Sequence, residues 1–208
     1  MKFNDYQISE MGVEAKEIKK VNRLITILNQ NNSTNLSYFK LLHVNIRSIG
    51  CNFEQFLIII PENVLNNFDV IVFSEAWLRD ISLSIEAFKI EGFQTFFTKY
   101  NKNQNDGVVI FTKQELTYEI EELEFDNATG CQIQLVKNSE TFTVLALYRP
   151  PELNAQLFLV ELEHLLSKIK KPGKFLIVGD ITIDINKENN FRYLDLKDSR
   201  AVITSIPG

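Results

Sequence analysis

The sequence predicts a layered α/β sandwich of two mixed, largely antiparallel sheets flanked by helices. Three observations carry this. Five strand-like runs between Phe93 and Tyr148 follow one another at mostly turn-length separations, which implies antiparallel pairing. Val70-Ile-Val-Phe-Ser74 and Phe175-Leu-Ile-Val178 are continuous apolar runs, as strands covered on both faces are. Leu157, Val160, Glu161, His164, Leu165, Leu166 and Ile169 lie along one long helical stretch that closes on Pro172-Gly173, just before the second of those runs. Strands and helices that are apolar on one face bury it against another layer, so this order gives stacked sheets with helices outside them.

Each element follows from local chemistry. Residues 1–38 differ from the rest and read as an N-terminal helical leader with a polar linker. Apolar residues at 18, 21, 24, 25 and 28 have helical spacing, and Asn29-Gln-Asn-Asn-Ser-Thr-Asn35 is the linker. The main domain is expected over 39–208. Phe39-Lys-Leu-Leu-His-Val-Asn45 is strand-like, and Asn52 is placed to cap a helix running to Asn66 that Pro61 kinks or divides. Val70–Ser74 is a buried strand. The antiparallel run consists of Phe93–Thr98, Gly107–Thr112, Leu116–Ile120, Gln132–Val136 and Thr141–Tyr148. There is no internal repeat.

With 208 residues, 45% hydrophobic content, eight glycines and five prolines, the chain is expected to be one globular domain with a sizeable core. Its longest purely apolar stretch, Phe56–Ile60, is far below the roughly 20 residues a membrane helix needs, so no membrane partner is expected. The N-terminus has no apolar segment of the secretory kind, and an intracellular location is the expectation. Cys51 and Cys131 have no metal-type spacing and are expected to be reduced and partly buried. A net charge of −5 argues against holding nucleic acid by bulk electrostatics. The lysines at 99, 102 and 113 and at 168, 170, 171 and 174 read as solvated charges.

Chemistry is expected at the strand ends. Asn45, Glu75, Tyr148 and Asp180 are each polar residues closing an apolar run. Glu75 and Asp180 on neighbouring strand ends would offer hard oxygen ligands to a divalent cation. Taken singly, Glu75 reads equally as a solvated acid, Asn45 as a turn residue, and Tyr148-Arg-Pro-Pro151 as a strand with a rigid proline exit.

In order, the chain carries His43-Val-Asn45-Ile-Arg47-Ser48, Ser74-Glu75-Ala-Trp77-Leu78, Asp106-Gly107-Val-Val-Ile110, Tyr148-Arg149-Pro150-Pro151 and Gly179-Asp180-Ile-Thr-Ile-Asp184. Over residues 39 to about 186 this resembles the endonuclease/exonuclease/phosphatase superfamily, and more narrowly the apurinic-type endonuclease domain of non-LTR (LINE-like) retrotransposons. The resemblance implies Mg²⁺ or Mn²⁺ held principally by Glu75, with Asn45 helping to position metal or phosphate. It implies that Asp180 orients or deprotonates the attacking water, that Tyr148 presents its hydroxyl to a phosphate oxygen, and that Arg149 and Thr182 lie near the phosphate. Arg47 is structural or phosphate-facing, and Asp184 a loop acid or helix cap. The substrate implied is DNA, nicked in the nucleus to leave a 3′-hydroxyl that primes reverse transcription.

Two departures bear on activity. Thr182 stands where the family pattern has Asn, and a hydroxyl reaches less far than an amide. The family's closing Ser-Asp-His motif does not occur, and no histidine follows His164. The expectation is a sandwich missing its C-terminal strands, weak or inactive as written. A small-substrate phosphatase or phosphodiesterase of the same superfamily, and a non-catalytic remnant acting as a binding module, are the alternatives.

Overall fold

The computed structural model describes residues 39–78, 87–99, 103–169 and 173–181. Residues 1–38, where a leader helix and linker are expected, and Thr182 and Asp184 lie outside the described residues. The elements are β1 (Leu41–Asn45), α1 (Ile49–Ile59), α2 (Glu62–Leu65), β2 (Val70–Ser74), β3 (Phe93–Phe97), β4 (Val109–Lys113), β5 (Thr117–Leu123), β6 (Thr129–Lys137), β7 (Glu140–Tyr148), α3 (Ala155–Lys168) and β8 (Lys174–Asp180).

Two four-stranded sheets result, in the orders β1-β2-β4-β3 and β5-β6-β7-β8. The turn-linked strands pair antiparallel, β5 with β6 and β6 with β7. β1 with β2 and β7 with β8 are parallel, because α1 and α3 carry the chain back across the sheet between them. The sheets are therefore mixed, as expected.

Alternation along the strands sorts the core into three parts. Val70, Val72, Ile110, Ile133, Val144, Ala146 and Val178 fill the space between the sheets. Ile71 and Phe73 face the other way, onto Phe53 and Phe56 of α1. The Phe56 and Phe73 rings meet edge to face at 4.8 Å, a favoured aromatic geometry. Leu145, Leu147 and Ile177 pack on Phe158, Leu159 and Leu162 of α3. The order is helix, sheet, sheet, helix.

The helix ends correct one sequence expectation. α1 begins at Ile49, and Asn52 is not its cap. Its amide instead donates to the carbonyls of Ile46 at 2.9 Å and Arg47 at 2.6 Å, tying down the turn from β1 into the helix. Pro61 does divide the helical stretch, for α1 ends at Ile59 and Pro61 caps α2. Asn154 caps α3, accepting from the backbone of Gln156 and Leu157. Both cysteines are free, but Cys131 is fully buried and Cys51 exposed, not both partly buried. Among the described residues no helix is long and apolar enough to cross a membrane.

Candidate active site

The two parallel pairs end together. Asn45 lies opposite Ser74 on the last rung of β1–β2, and Tyr148 opposite Asp180 on the last rung of β7–β8. On each strand the apolar residues two and four places earlier belong to or pack on the core between the sheets, except that β1 has His43 at the nearer place. Strand alternation therefore turns Asn45, Ser74, Tyr148 and Asp180 toward the same gap, where they close the end of that core.

Asn45 joins the sheets. Its Nδ2 donates to Glu75 Oε2 at 2.8 Å and to Asp180 Oδ2 at 2.7 Å, the second across 135 residues of chain. Its Oδ1 accepts from the backbone N–H of Arg47 at 3.2 Å. One amide group thus stands between two carboxylates.

Glu75 reaches this place only because its backbone is left-handed. Simple alternation after the inward Ser74 would aim it outward, toward the α1 side. A φ of 55° turns the chain and returns the carboxylate to the cluster. Arg47, Ser48 and Trp77 also have positive φ, at 44°, 78° and 54°. Each such residue costs on the order of 1–3 kcal/mol, and strain of this kind collects at functional sites. Main-chain bonds hold it: Ser48 N–H to Glu75 O at 2.9 Å, Ile49 N–H to Ala76 O at 3.0 Å, Ala76 N–H to Gly107 O at 3.1 Å, and Leu78 N–H to Asp106 O at 3.0 Å.

Asp106 lies within a quoted motif but carried no expected role. It is fully buried, and its carboxylate accepts from Gly107 N–H at 2.8 Å and Thr129 Oγ1 at 2.5 Å. It fixes the turn that holds the Glu75 loop. An acid just before a glycine and an apolar strand was the available signal.

Tyr148 is buried, with only 3% of its surface exposed. Burial first, and then the charges of Glu75, Asp106, Asp180 and Glu152, raise its phenol well above the ordinary 10.0. The hydroxyl therefore stays protonated through the neutral and mildly alkaline range and is a hydrogen-bond donor there. A raised folded value contributes stability that is fully present below pH 10.0 and lost as pH rises through the folded value. Urea unfolding above pH 10.0 should show the protein losing stability more steeply than Tyr148→Phe, the two curves running parallel below it.

Arg149 follows Tyr148 at the end of β7, and its backbone N–H donates to Asp180 O at 2.9 Å. The residue is buried, its Nε donates to Ile181 O at 2.7 Å, and its Nη1 to Pro150 O at 3.1 Å and Leu153 O at 2.6 Å. These donors are committed to main-chain carbonyls, and they pin the proline exit to the end of β8. Burial lowers its affinity for the proton, offset by Asp180, Glu152 and Tyr148. Thr182, the other phosphate candidate, lies outside the described residues. His43 is buried with Nε2 at 2.9 Å from Ser74 Oγ, and His164 is exposed on α3.

Among the described residues no group of three or more His, Cys, Asp and Glu side chains could hold a metal ion. The donor set that is present suits Mg²⁺ or Mn²⁺ nonetheless. Glu75, Asp180 and the Asn45 carbonyl are hard oxygen donors, and magnesium is commonly bound by one or two carboxylates while keeping several waters. For Asn45 to join, its amide must rotate, since Nδ2 now faces the acids and an N–H cannot ligate a cation.

These two sheets, with polar strand ends gathered at one end, have the fold of the endonuclease/exonuclease/phosphatase superfamily. No protein-family model and no curated protein sequence matches the chain. Solved structures do. A humanized D. rerio TDP2 superposes with a TM-score of 0.57 at 12% identity over 76% of this chain and 70% of its own. D. rerio TDP2 complexed with single-strand DNA product gives 0.52 at 10%, over 70% of this chain and 61% of its own. An endonuclease/exonuclease/phosphatase family protein from Leptotrichia buccalis gives 0.55 at 13%, over 77% and 72%. ANGEL2, a 2′,3′-cyclic phosphatase in complex with adenosine-2′,3′-vanadate, gives 0.52 at 17%, over 69% of this chain and 53% of its own. This chain thus spans little more than half of ANGEL2.

Proposed function

We propose that this domain is a divalent-metal-dependent phosphodiester hydrolase acting on DNA, of the retrotransposon nicking type. The observation that carries the reading is the Asn45 amide bridging Glu75 and Asp180 between the two sheets. Glu75 and Asn45 would hold Mg²⁺ or Mn²⁺, which when bound supplies Lewis-acid polarisation of a phosphoryl oxygen. Asp180 would orient and deprotonate a water. Tyr148 donates its phenolic proton in a hydrogen bond to a phosphate oxygen, and burial keeps that proton in place. Of the two histidines, His43 is bonded to Ser74 and His164 is exposed on α3.

DNA as substrate is supported by the motif order in the sequence and by the DNA-bound TDP2 neighbour. A small phosphate ester is the second reading, favoured by the net charge of −5 and by the adenosine-2′,3′-vanadate on ANGEL2. Supercoiled plasmid and a panel of small phosphodiesters, each incubated with Mn²⁺, separate the two. Nicking that Glu75→Ala removes, with the panel untouched, is the expected outcome. Turnover of a small ester alone would transfer the function to the second reading. Metal binding without any hydrolysis would make the domain a non-catalytic binding module.

A further inference from the structure

Trp77 carries two costs at one position. Its backbone is left-handed, with φ at 54°, which is a genuine outlier for a bulky residue. Its side chain is also 39% exposed, and among the described residues the other large exposed apolar side chains are all aliphatic. Its neighbours explain how it is held out. Ala76 is fully buried and Leu78 is buried against Gly107, where even a Cβ would come within 2.6 Å of Leu78 Cγ. Both carry N–H groups bonded to the Asp106-Gly107 turn, so the chain is anchored inward on either side of the indole. What is left outward is an aromatic plate on a rigid loop. Glu75 is two residues away, at most about 7 Å along the chain.

We propose that Trp77 stacks on a nucleobase of the DNA strand whose phosphodiester lies at the Asn45-Glu75-Asp180 cluster. The inference rests on the proposed phosphodiester site and adds a base-binding surface beside it. Stacking also answers a problem of charge. A chain at −5 gains little from the bulk phosphate attraction that usually holds DNA, whereas an aromatic face contributes about 1–3 kcal/mol per base whatever the sequence. Converted at 1.4 kcal/mol per decade, that is about 5–150-fold in affinity.

Trp77 is the sole tryptophan in the sequence, so its emission reports on this position alone. The full chain is titrated, with Ca²⁺ in place of Mg²⁺, with a single-stranded oligonucleotide, a fully abasic strand of equal length, and a mononucleotide. Anisotropy of labelled strands measures binding independently. The base-bearing strand should quench the emission saturably, and the abasic strand should leave it unchanged and bind about tenfold more weakly. Trp77→Ala should bring the base-bearing strand down to the abasic level, and Trp77→Phe should keep most of the difference. Anisotropy showing the strand bound with unchanged emission overturns the proposal, and so does an equal loss for both strands in Trp77→Ala, which marks a structural role. Full quenching by the mononucleotide at the strand's own affinity overturns the strand as occupant. No binding of either strand by anisotropy overturns this inference together with the DNA reading, whereas plasmid nicking with a silent Trp77 sinks the inference alone.

Discussion

Glu75→Gln is expected to lose at least about a hundredfold in Mn²⁺ affinity, more than the 10–100-fold typical of losing an outer partner, and with it the hydrolysis. The cluster holds two carboxylates, so a neutral amide at Glu75 removes half of its negative charge at nearly unchanged shape. Glutamine can still accept from Asn45 Nδ2, and the left-handed turn at Glu75 is held by main-chain bonds that the substitution leaves alone. The variant should therefore unfold in urea at close to the parent midpoint. Calorimetric titration with Mn²⁺ reads the affinity, and plasmid nicking reads the rate. Asp180→Asn should separate the roles, since it leaves Glu75 and Asn45 in place while removing the carboxylate proposed to take the water's proton. A larger affinity loss for Asp180→Asn than for Glu75→Gln would exchange the two assignments.

Gly179→Ala is expected to cost about 3 kcal/mol or more in stability. Gly179 pairs with Leu147 in the β7–β8 ladder at a φ of 143°, a conformation that L side chains rarely adopt. An added Cβ would collide with the carbonyl oxygen of Leu147, which is backbone and cannot rotate away. Strain and clash fall on the residue before Asp180, so the last rung of the ladder would shift and the acid would leave the Asn45 amide. Denaturant unfolding reports the stability. A midpoint near that of the parent would mean that β8 does not meet β7 in this register.

How much of this was legible in the sequence differs from residue to residue. The β2 run is apolar throughout because both its faces are covered, one by α1 and one by the second sheet, and such a run announces itself. The division at Pro61 was equally visible, since proline has no N–H to continue a helix. β6 begins at Thr129, earlier than the run from Gln132 suggests. Gly130 hides its start, and a side chain there is excluded because a Cβ would lie 2.6 Å from Ala146 O.

The site was partly legible for a different reason. Four polar residues closing apolar runs marked the end of the sandwich, but their mutual contacts are tertiary. That Asn45 touches Asp180 depends on how the two sheets stack, and no local pattern encodes that. Glu75 could be named but not aimed, because its direction comes from a left-handed residue that nothing in Ser-Glu-Ala-Trp demands. Arg149 has a structural part that no local pattern announced. The turn that Pro150 and Pro151 open leaves main-chain carbonyls in need of donors, and the Arg149 Nε and Nη1 supply them.

The central claim is that the Asn45 amide now occupies the position of a divalent cation. Anomalous diffraction from crystals soaked in Mn²⁺ addresses it directly. The expected result is one manganese peak between Asn45 and Glu75, with the Asn45 amide rotated to present Oδ1 and Nδ2 withdrawn from the Glu75 carboxylate. A peak confined to other acids, or a cluster still bridged by Nδ2 in saturating Mn²⁺, would contradict it.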